Sequence, residues 1–386
     1  MKKSLLFLFS IVCMSTVFVA CDSDNAPPVA PPPPEPEKRV IVPVDYSAGR
    51  AMNKRLGKGI NLGNSWESDG KDDGGWSNPI KDEDFRIIKE AGFNSIRLPV
   101  RWQKNSNYET HTVDPNRLAG VKEDVALAIE QGLVVLLDFH HYIELNHLGG
   151  GAHRERPDTV ALFQKEKEHF IALWSQIATE FNAFPDSMIA FDILNEPTIP
   201  NENLVNEVLL GAYEAIRAAA PNKTIMFESY LAAKFAQISI LKLPADGNII
   251  YSGHYYEPYT FSHQGHSYDC LGDAAYLNMA ESDFRGYVDT AKALFPDVNG
   301  VDHIPMNIGE FGISGGTSRA NKSHCKADQS LPSAEAKARW AKETVAAAKK
   351  YDMSFHYWGF TYVGGFEAYD RQNNVWYSGF PNALIQ

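Results

Sequence analysis

Apolar and polar positions follow a repeating pattern from residue 58 onward: a short apolar run, a turn, and a longer amphipathic stretch. Short apolar runs are typical of buried strands, and apolar residues three and four apart are typical of packed helices. Strands are predicted at 59–62, 95–98, 134–139, 189–194, 224–228, 249–253, 306–309 and 354–360. Helices are predicted at 82–91, 117–131, 160–181, 203–219, 232–241, 278–295 and 333–350, with 232–241 the weakest pattern.

Helix ends are marked by capping residues. Gly92 and Gly132 follow the first two predicted helices, where a C-terminal cap is expected. Asp82 and Ser333 are candidate N-caps. The amphipathic stretches therefore have the boundaries of real helices.

Strands that alternate with helices predict a parallel sheet, and eight of them predict a (β/α)8 TIM barrel in a single catalytic domain. A doubly wound open sheet is the alternative, but no glycine-rich phosphate turn follows the first strand. Only a short tail follows the last strand, so the eighth helix is expected to be reduced or missing.

The first residues are typical of an export signal. Lys2 and Lys3 precede an apolar stretch, and Cys21 follows Ala20 in a sequence similar to a bacterial lipobox. We predict a signal peptide at 1–21 with Cys21 lipidated, a linker rich in proline and acidic residues at 22–45, and the catalytic barrel at 46–386. The alternative is ordinary signal-peptide cleavage near this position. The protein is expected to be lipid-anchored at the cell surface or outer membrane in the first case, and secreted in the second.

The charge of the chain limits the classes of molecule that it can bind, and its cysteines suggest a disulfide. The formal net charge of −12, without a basic cluster, argues against nucleic acid. A membrane contact is expected only through a lipid on Cys21, and the protein is expected to be a monomer. Cys270 and Cys325 form an even pair, which in an exported protein suggests a disulfide, with two buried thiols as the alternative.

Polar side chains collect where the predicted strands end, and the carboxyl ends of barrel strands form the face at which such enzymes work. The residues are Asn61, Asn64, Arg97, His140, His141, Asn195, Glu196, His254, Tyr256, Glu310 and Trp358. Each has a structural alternative, such as an ion pair for Arg97 or a core position for His140. Adjacent strand residues point to opposite faces, so the two neighbouring histidines do not suit one metal ion, and we expect no metal and no cofactor.

Two of these residues are acids at the ends of apolar strands. Pro197 stops the fourth strand directly after Glu196, and Glu310 closes the seventh between Gly309 and Gly312. Both are expected to project into one bowl. Most glycoside hydrolases use a pair of carboxyl groups in different environments as their catalytic groups.

Six segments, in order, resemble glycoside hydrolase family 5, the cellulase family, over about residues 58–386. They are Gly-Ile-Asn-Leu-Gly-Asn at 59–64, Ile-Arg-Leu-Pro at 96–99, Leu-Asp-Phe-His-His at 137–141, Leu-Asn-Glu-Pro at 194–197, His-Tyr-Tyr at 254–256 and Ile-Gly-Glu-Phe-Gly at 308–312. The resemblance implies that Glu196 is the general acid/base and Glu310 the nucleophile of a retaining mechanism. It implies supporting roles for Arg97 beneath the nucleophile, His140, Asn195 at the sugar 2-hydroxyl, His254 and Tyr256 near the acids, and Trp358 as a stacking platform.

Physical expectations accompany these roles. Arg97 should favour the ionised form of Glu310, and Glu196 must keep its proton until it is used. A retaining site needs carboxyl groups about 5–5.5 Å apart. Trp66 either lines a distant sugar subsite or packs in the core, and His141 either faces substrate or packs behind its strand.

The expected activity is cleavage of internal β-1,4-glucosidic bonds in cellulose or related β-glucans. Mannan, xyloglucan and mixed-linkage glucan are alternative substrates within the same family. A non-catalytic glycan-binding lipoprotein is the alternative from another class, but it would require the loss of one acid, and both are present.

Overall fold

The computed structural model describes residues 39–68, 78–140, 142–147, 157–199, 201–266, 268–314, 325–326 and 329–386. The predictions for Cys21, for the signal peptide, for most of the linker and for His141 lie outside these residues. The domain boundaries proposed from the sequence therefore stay predictions.

Eight parallel strands form a closed barrel, which confirms the TIM-barrel prediction and excludes the open sheet. The strands are β1 (Lys58–Asn61), β2 (Ser95–Val100), β3 (Val134–Phe139), β4 (Ile189–Asp192), β5 (Thr224–Glu228), β6 (Ile249–His254), β7 (Met306–Phe311) and β8 (Ser354–Tyr357). Each strand pairs with its neighbours in sequence, and β1 pairs with both β2 and β8.

Helices surround the barrel. They are α1 (Ser47–Leu56), α2 (Asp82–Ala91), α3 (Pro115–Glu130), α4 (Ile143–His147), α5 (Pro157–Phe181), α6 (Glu202–Ala219), α7 (Tyr230–Ala233), α8 (Tyr259–Ser262), α9 (Ala280–Leu294), α10 (Ala334–Lys350) and α11 (Asn382–Ile385). After β8 the chain forms α11, a helix of four residues. Among the described helices, none is long and apolar enough to cross a membrane.

Two local predictions need correction, and a third is confirmed. The region 232–241 is not one helix but the short α7 followed by a 3-10 helix, Phe235–Ile240. Asp82 is not the N-cap of α2, because Lys81 holds that position and Asp82 lies in the first turn. Ser333 does cap α10, where its hydroxyl accepts a hydrogen bond from the backbone N–H of Ala336.

The base of the barrel is closed by α1, a helix that the strand pattern did not predict. Met52 and Leu56 of α1 pack against the lower interior side chains of the barrel in one apolar cluster. The other members of that cluster are Val134, Leu136, Ala190, Met226 and Ile250. This apolar layer leaves the polar interior residues at the opposite, carboxyl-terminal mouth.

A register shift between β6 and β7 aims the nucleophile candidate. Gly253 pairs with Ile308, but His254 pairs with Glu310, so Gly309 is passed over in the ladder. A Cβ at position 309 would lie 2.9 Å from Oγ of Ser252 and 3.0 Å from Nε2 of His254. Glycine is therefore required there for the close approach that brings His254 beside Glu310.

Candidate active site

Arg97 on β2 is the central cation of the barrel mouth, and its side chain is completely buried. A buried guanidinium needs acceptors for its rigid fork of N–H donors. They are Asp138 Oδ2 (2.9 Å), Asp192 Oδ2 (3.1 Å), Glu228 Oε1 (2.8 Å), Glu310 Oε1 (2.9 Å) and the amide oxygens of Asn61 (3.2 Å) and Asn195 (2.8 Å).

Glu310 lies within β7 and is held at both carboxylate oxygens. Nη1 of Arg97 donates to Oε1, and the hydroxyl of Tyr256 donates to Oε2 at 2.9 Å. Burial raises the pKa of Glu310 to about 7, despite the opposing positive charges of His254 and Arg97. Arg97 therefore favours ionisation as expected, but desolvation has the larger effect on this carboxyl group.

Glu196 does not lie at the end of a rigid strand, because β4 ends at Asp192. Its backbone is in the left-handed region, with φ of 47°, and its N–H donates to Oε2 of Glu228 at 2.7 Å. A left-handed non-glycine residue is strained and persists only where its surroundings hold it. Hydrogen bonds in a loop, rather than a strand ladder, therefore fix this acid.

His254 connects the acids. Its Nδ1 lies 2.9 Å from Oε1 of Glu196 and 3.5 Å from Oε2 of Glu310, and its Nε2 lies 3.0 Å from Oε1 of Glu228. Burial alone would lower the pKa of His254, but the carboxylates of Glu228 and Glu310 raise it well above its ordinary value. His254 is therefore an imidazolium that donates from both ring nitrogens.

Asp138, Asp192 and Glu228 are buried acids of this mouth that the sequence predictions did not include. Burial raises the pKa of Asp138 to about 8 and that of Asp192 well above its ordinary value. Burial also opposes ionisation of Glu228, but His254 and Arg97 lower its pKa to about 2. Their sequence signal was an acid within or at the end of an apolar strand, the same signal that identified Glu310.

The remaining predicted residues lie around the same carboxyl-terminal mouth of the barrel. Nδ1 of His140 lies 2.6 Å from Asp138, and its ring stacks on Trp358 with centroids 5.7 Å apart. Burial lowers the pKa of His140 well below its ordinary value, so this ring is neutral. Asn195 accepts from Arg97, which orients its amide. Nδ2 of Asn64 donates to the carbonyl of Tyr362 at 2.8 Å, tying the loop after β1 to the loop after β8.

Trp66 lies in the core, with 7% of its surface exposed. Its indole N–H donates to Asp124 at 2.6 Å, and the guanidinium of Arg117 lies over its ring. This position favours the core-packing alternative over a substrate-lining role. The neighbouring Glu67 was missed: it accepts from the backbone N–H groups of Asn64 and Ser65, and burial raises its pKa to about 8.

Cys270 and Cys325 form a disulfide with Cα atoms 5.1 Å apart. Cys270 follows β6 and Cys325 follows β7, so the bridge joins the two loops that flank Glu310. The open alternative of two buried thiols is therefore not the arrangement in this structure.

An oxygen of Glu196 and an oxygen of Glu310 lie within 4.8 Å of each other, with a ring nitrogen of His254 in the same group. Such a group has the dimensions of a cation site. Arg97 and Tyr256 donate to the two oxygens of Glu310, and the cationic His254 donates to Oε1 of Glu196, so a ring nitrogen that carries a proton is not available to bind a metal here. The short spacing is below the roughly 6.5–9.5 Å that an inverting glycosidase needs to admit water between its carboxyl groups.

The chain resembles characterised proteins in both sequence and structure. It is 26% identical to endoglucanase B of Ruminococcus albus over 372 residues, which cover 89% of this chain and 80% of that protein. A hyperthermophilic endo-β-1,4-glucanase solved with substrate matches 88% of this chain and 99% of its own, with TM-score 0.72 and 28% identity. Cel5A of Thermotoga maritima, solved with mannotriose, matches 87% and 100%, with TM-score 0.71 and 29% identity.

The sequence model of the family described as cellulase, glycosyl hydrolase family 5, matches residues 56–364. This range includes all eight strands and every residue of the charged mouth around Arg97. The chain therefore belongs to glycosyl hydrolase family 5, and the protein is a glycoside hydrolase.

Proposed function

We propose that the protein is a retaining endo-β-1,4-glucanase in which Glu196 is the general acid/base and Glu310 the nucleophile. The observation that carries this proposal is the approach of an oxygen of Glu196 to within 4.8 Å of an oxygen of Glu310 at the carboxyl-terminal mouth of the barrel. A single displacement leaves no room for water at that spacing, whereas a double displacement needs the nucleophile close to the sugar.

In the first step Glu196 protonates the glycosidic oxygen while an oxygen of Glu310 attacks the anomeric carbon. The bond to the leaving sugar breaks and a covalent glycosyl-enzyme forms. Arg97 and Tyr256, which contact Glu310, fix the direction of attack. In the second step Glu196, now a carboxylate, removes a proton from water, and the water releases the sugar from Glu310.

The neighbouring side chains supply the sugar site. Trp358 offers a ring face backed by His140, and aromatic faces are the usual platforms for sugar rings. Asn195 has its carbonyl oxygen occupied by Arg97, which directs its N–H2 group toward a sugar hydroxyl. The substrate is a polysaccharide, because the resembling proteins act on polymers such as β-1,4-glucan.

β-Mannan is the alternative substrate, and a similar solved structure supports it. Cel5A of Thermotoga maritima has been solved with mannotriose and with cellobiose, so a similar mouth accepts both sugars. We further propose that the protein is exported and reaches the cell surface through a lipid on Cys21, since its N-terminal sequence resembles a lipobox.

The test is a substrate panel on the purified protein. Release of reducing ends is measured on carboxymethylcellulose, glucomannan, mannan, xyloglucan and mixed-linkage glucan, together with viscosity. We expect viscosity to fall early on carboxymethylcellulose, because internal cleavage shortens chains rapidly. NMR of the first product should show the β-anomer. Initial formation of the α-anomer would refute retention, and inactivity on every glucan with activity on mannan would transfer the assignment to mannanase.

A further inference from the structure

Glu228, at the end of β5, makes several hydrogen bonds to residues of the candidate active site. Its side chain is completely buried, and both carboxylate oxygens accept hydrogen bonds. Oε1 accepts from Nη2 of Arg97 at 2.8 Å and from Nε2 of His254 at 3.0 Å. Oε2 accepts from the backbone N–H of Glu196 at 2.7 Å. One residue thus contacts the loop of the acid/base directly.

The same residue reaches the side chain of Glu196 through His254. The ring of His254 lies between the two acids, with Nε2 toward Glu228 and Nδ1 toward Oε1 of Glu196. A carboxylate has no proton to donate, so when both acids are ionised both ring nitrogens must donate. The imidazole is then cationic, and Glu228 is its counter-ion.

We propose that Glu228 is a positioning residue for the acid/base: it fixes the backbone of Glu196 and keeps His254 cationic, so that the carboxylate left on Glu196 after proton transfer is stabilised. The inference rests on the proposed function, because it takes Glu196 as the acid/base. During glycosylation the leaving oxygen takes the proton of Glu196 together with the bonding pair, and Glu310 forms the new bond to the anomeric carbon. His254 keeps both of its protons and donates Nδ1–H to the new carboxylate.

Other titratable groups also face His254. They are Glu196 from the loop after β4, Glu310 from β7, Asp138 from β3 and the neutral His140 directly after β3, while Arg97 from β2 shares the contact with Glu228. Glu228 is the strongest of the groups that raise the pKa of His254, and the same Oε1 of Glu228 also contacts Arg97. Removal of the Glu228 charge should therefore lower the pKa of His254.

The kinetic test uses two leaving groups. Dinitrophenolate departs from 2,4-dinitrophenyl β-cellobioside without protonation, whereas phenol departs from phenyl β-cellobioside only with help from an acid. For Glu228→Gln we expect kcat/KM to fall about 10²-fold on the phenyl substrate, the typical effect of misplacing a catalytic group. On the dinitrophenyl substrate the loss should stay below about tenfold, because the departure of dinitrophenolate does not need the general acid that the variant misplaces.

Two further variants separate charge from shape. Glu228→Asp keeps the negative charge and should restore part of the activity on the phenyl substrate. Asp192→Asn is the control for loss of another buried acid beside Arg97; Asp192 also contacts Glu228, but it has no described hydrogen bond to His254 or Glu196. Its loss of activity should be similar on both substrates. If Glu228→Gln does not fold, the same pair of substrates is measured with Glu228→Asp, which should still lose more on the phenyl substrate.

A second readout does not depend on turnover. Imidazole 15N NMR of histidine-labelled protein reports the protonation of His254, whose signals are identified by their loss in His254→Gln. In the unmodified protein they should remain those of an imidazolium well above the pH at which an ordinary histidine loses its proton, and in Glu228→Gln they should titrate at a lower pH.

The outcomes are distinguishable. Equal losses on both substrates, or an unchanged His254 titration in Glu228→Gln, would overturn the role assigned to Glu228. Absence of any cleavage by the folded, unmodified protein would instead refute the proposed function, and the NMR titration would still decide whether Glu228 is the counter-ion of His254.

Discussion

Arg97 shows how much of this active site depends on one charge. Four carboxyl groups surround its guanidinium, and a fifth, Glu196, is reached through His254. The two cations cannot compensate five full negative charges in a buried space. The raised pKa values of Asp138 and Asp192 are the physical response, because protons neutralise the surplus charge. Negative charge is thereby left on Glu228, which contacts both Arg97 and His254.

The first prediction at this scale concerns Glu310→Gln. Turnover should fall by about 10³-fold or more, because the amide cannot form the covalent intermediate. Folding should persist, since Arg97 retains its other acceptors and glutamine fills the same volume. Kinetics on carboxymethylcellulose and circular dichroism are the measurements. Glu335→Gln on the exposed side of α10 is the matched control and should match the unmodified protein. Residual activity above one-tenth in the Glu310 variant would contradict the assignment.

The second prediction concerns pH. As the proposed nucleophile, Glu310 must be ionised to attack, and burial raises its pKa from 4.5 to about 7. Activity should therefore fall as the pH drops below about 7, and the acidic limb of kcat/KM should lie above the ordinary carboxyl value. A pH series on an aryl β-cellobioside measures it, because kcat/KM reports ionisations of the free enzyme. An acidic limb below pH 4.5 would show that Glu310 is not desolvated as described.

At the scale of elements, α1 is the part of the fold that the sequence pattern did not reveal. Met52 and Leu56 are buried beneath the barrel, and the backbone N–H of Gly57 bonds to the carbonyl of Asn53 where the helix ends. The helix is largely polar, because only one narrow side of it meets the barrel. Its role is to cover an apolar opening that the strands by themselves cannot close.

Leu56→Ala tests this role. The leucine is completely buried, so its truncation should lower the free energy of unfolding by about 2–5 kcal/mol through lost burial and an unfilled cavity. Urea unfolding monitored by tryptophan fluorescence provides the measurement. Val42→Ala removes a side chain that is 56% exposed and should leave stability within about 0.5 kcal/mol. Equal effects of the two variants would mean that α1 does not close the barrel base.

At the scale of the whole molecule, the loops at the carboxyl-terminal mouth are tied to one another across the site. Asn64 joins the loop after β1 to that after β8, and the Cys270–Cys325 disulfide joins the loops after β6 and β7. The barrel fixes the directions of the strands, while these ties fix the loops that carry the remaining site residues.

Replacement of Cys270 and Cys325 by serine should lower the free energy of unfolding by about 2–4 kcal/mol, the usual contribution of a disulfide. The bridged cysteines are 55 residues apart, so the unfolded chain gains considerable freedom when the bridge is removed. Denaturation of the double variant and of the oxidised protein gives the comparison, and reductant should affect only the latter. Identical unfolding of the two proteins, or the same mass after thiol alkylation with and without reductant, would contradict a bridge.

The sequence determined the architecture and most of the active site. Alternating strand and helix patterns specify a parallel barrel, and side chains at the carboxyl ends of its strands must meet at one face, so Arg97, His254 and Glu310 were predictable together. Only the tertiary structure decided the features that depend on contacts between distant residues. They are the end of β4 at Asp192, the packing of Trp66 in the core, and the contacts of Glu228 with both His254 and Glu196. Contacts of this kind join residues distant in the sequence, and periodicity carries no information about which buried acid meets which cation.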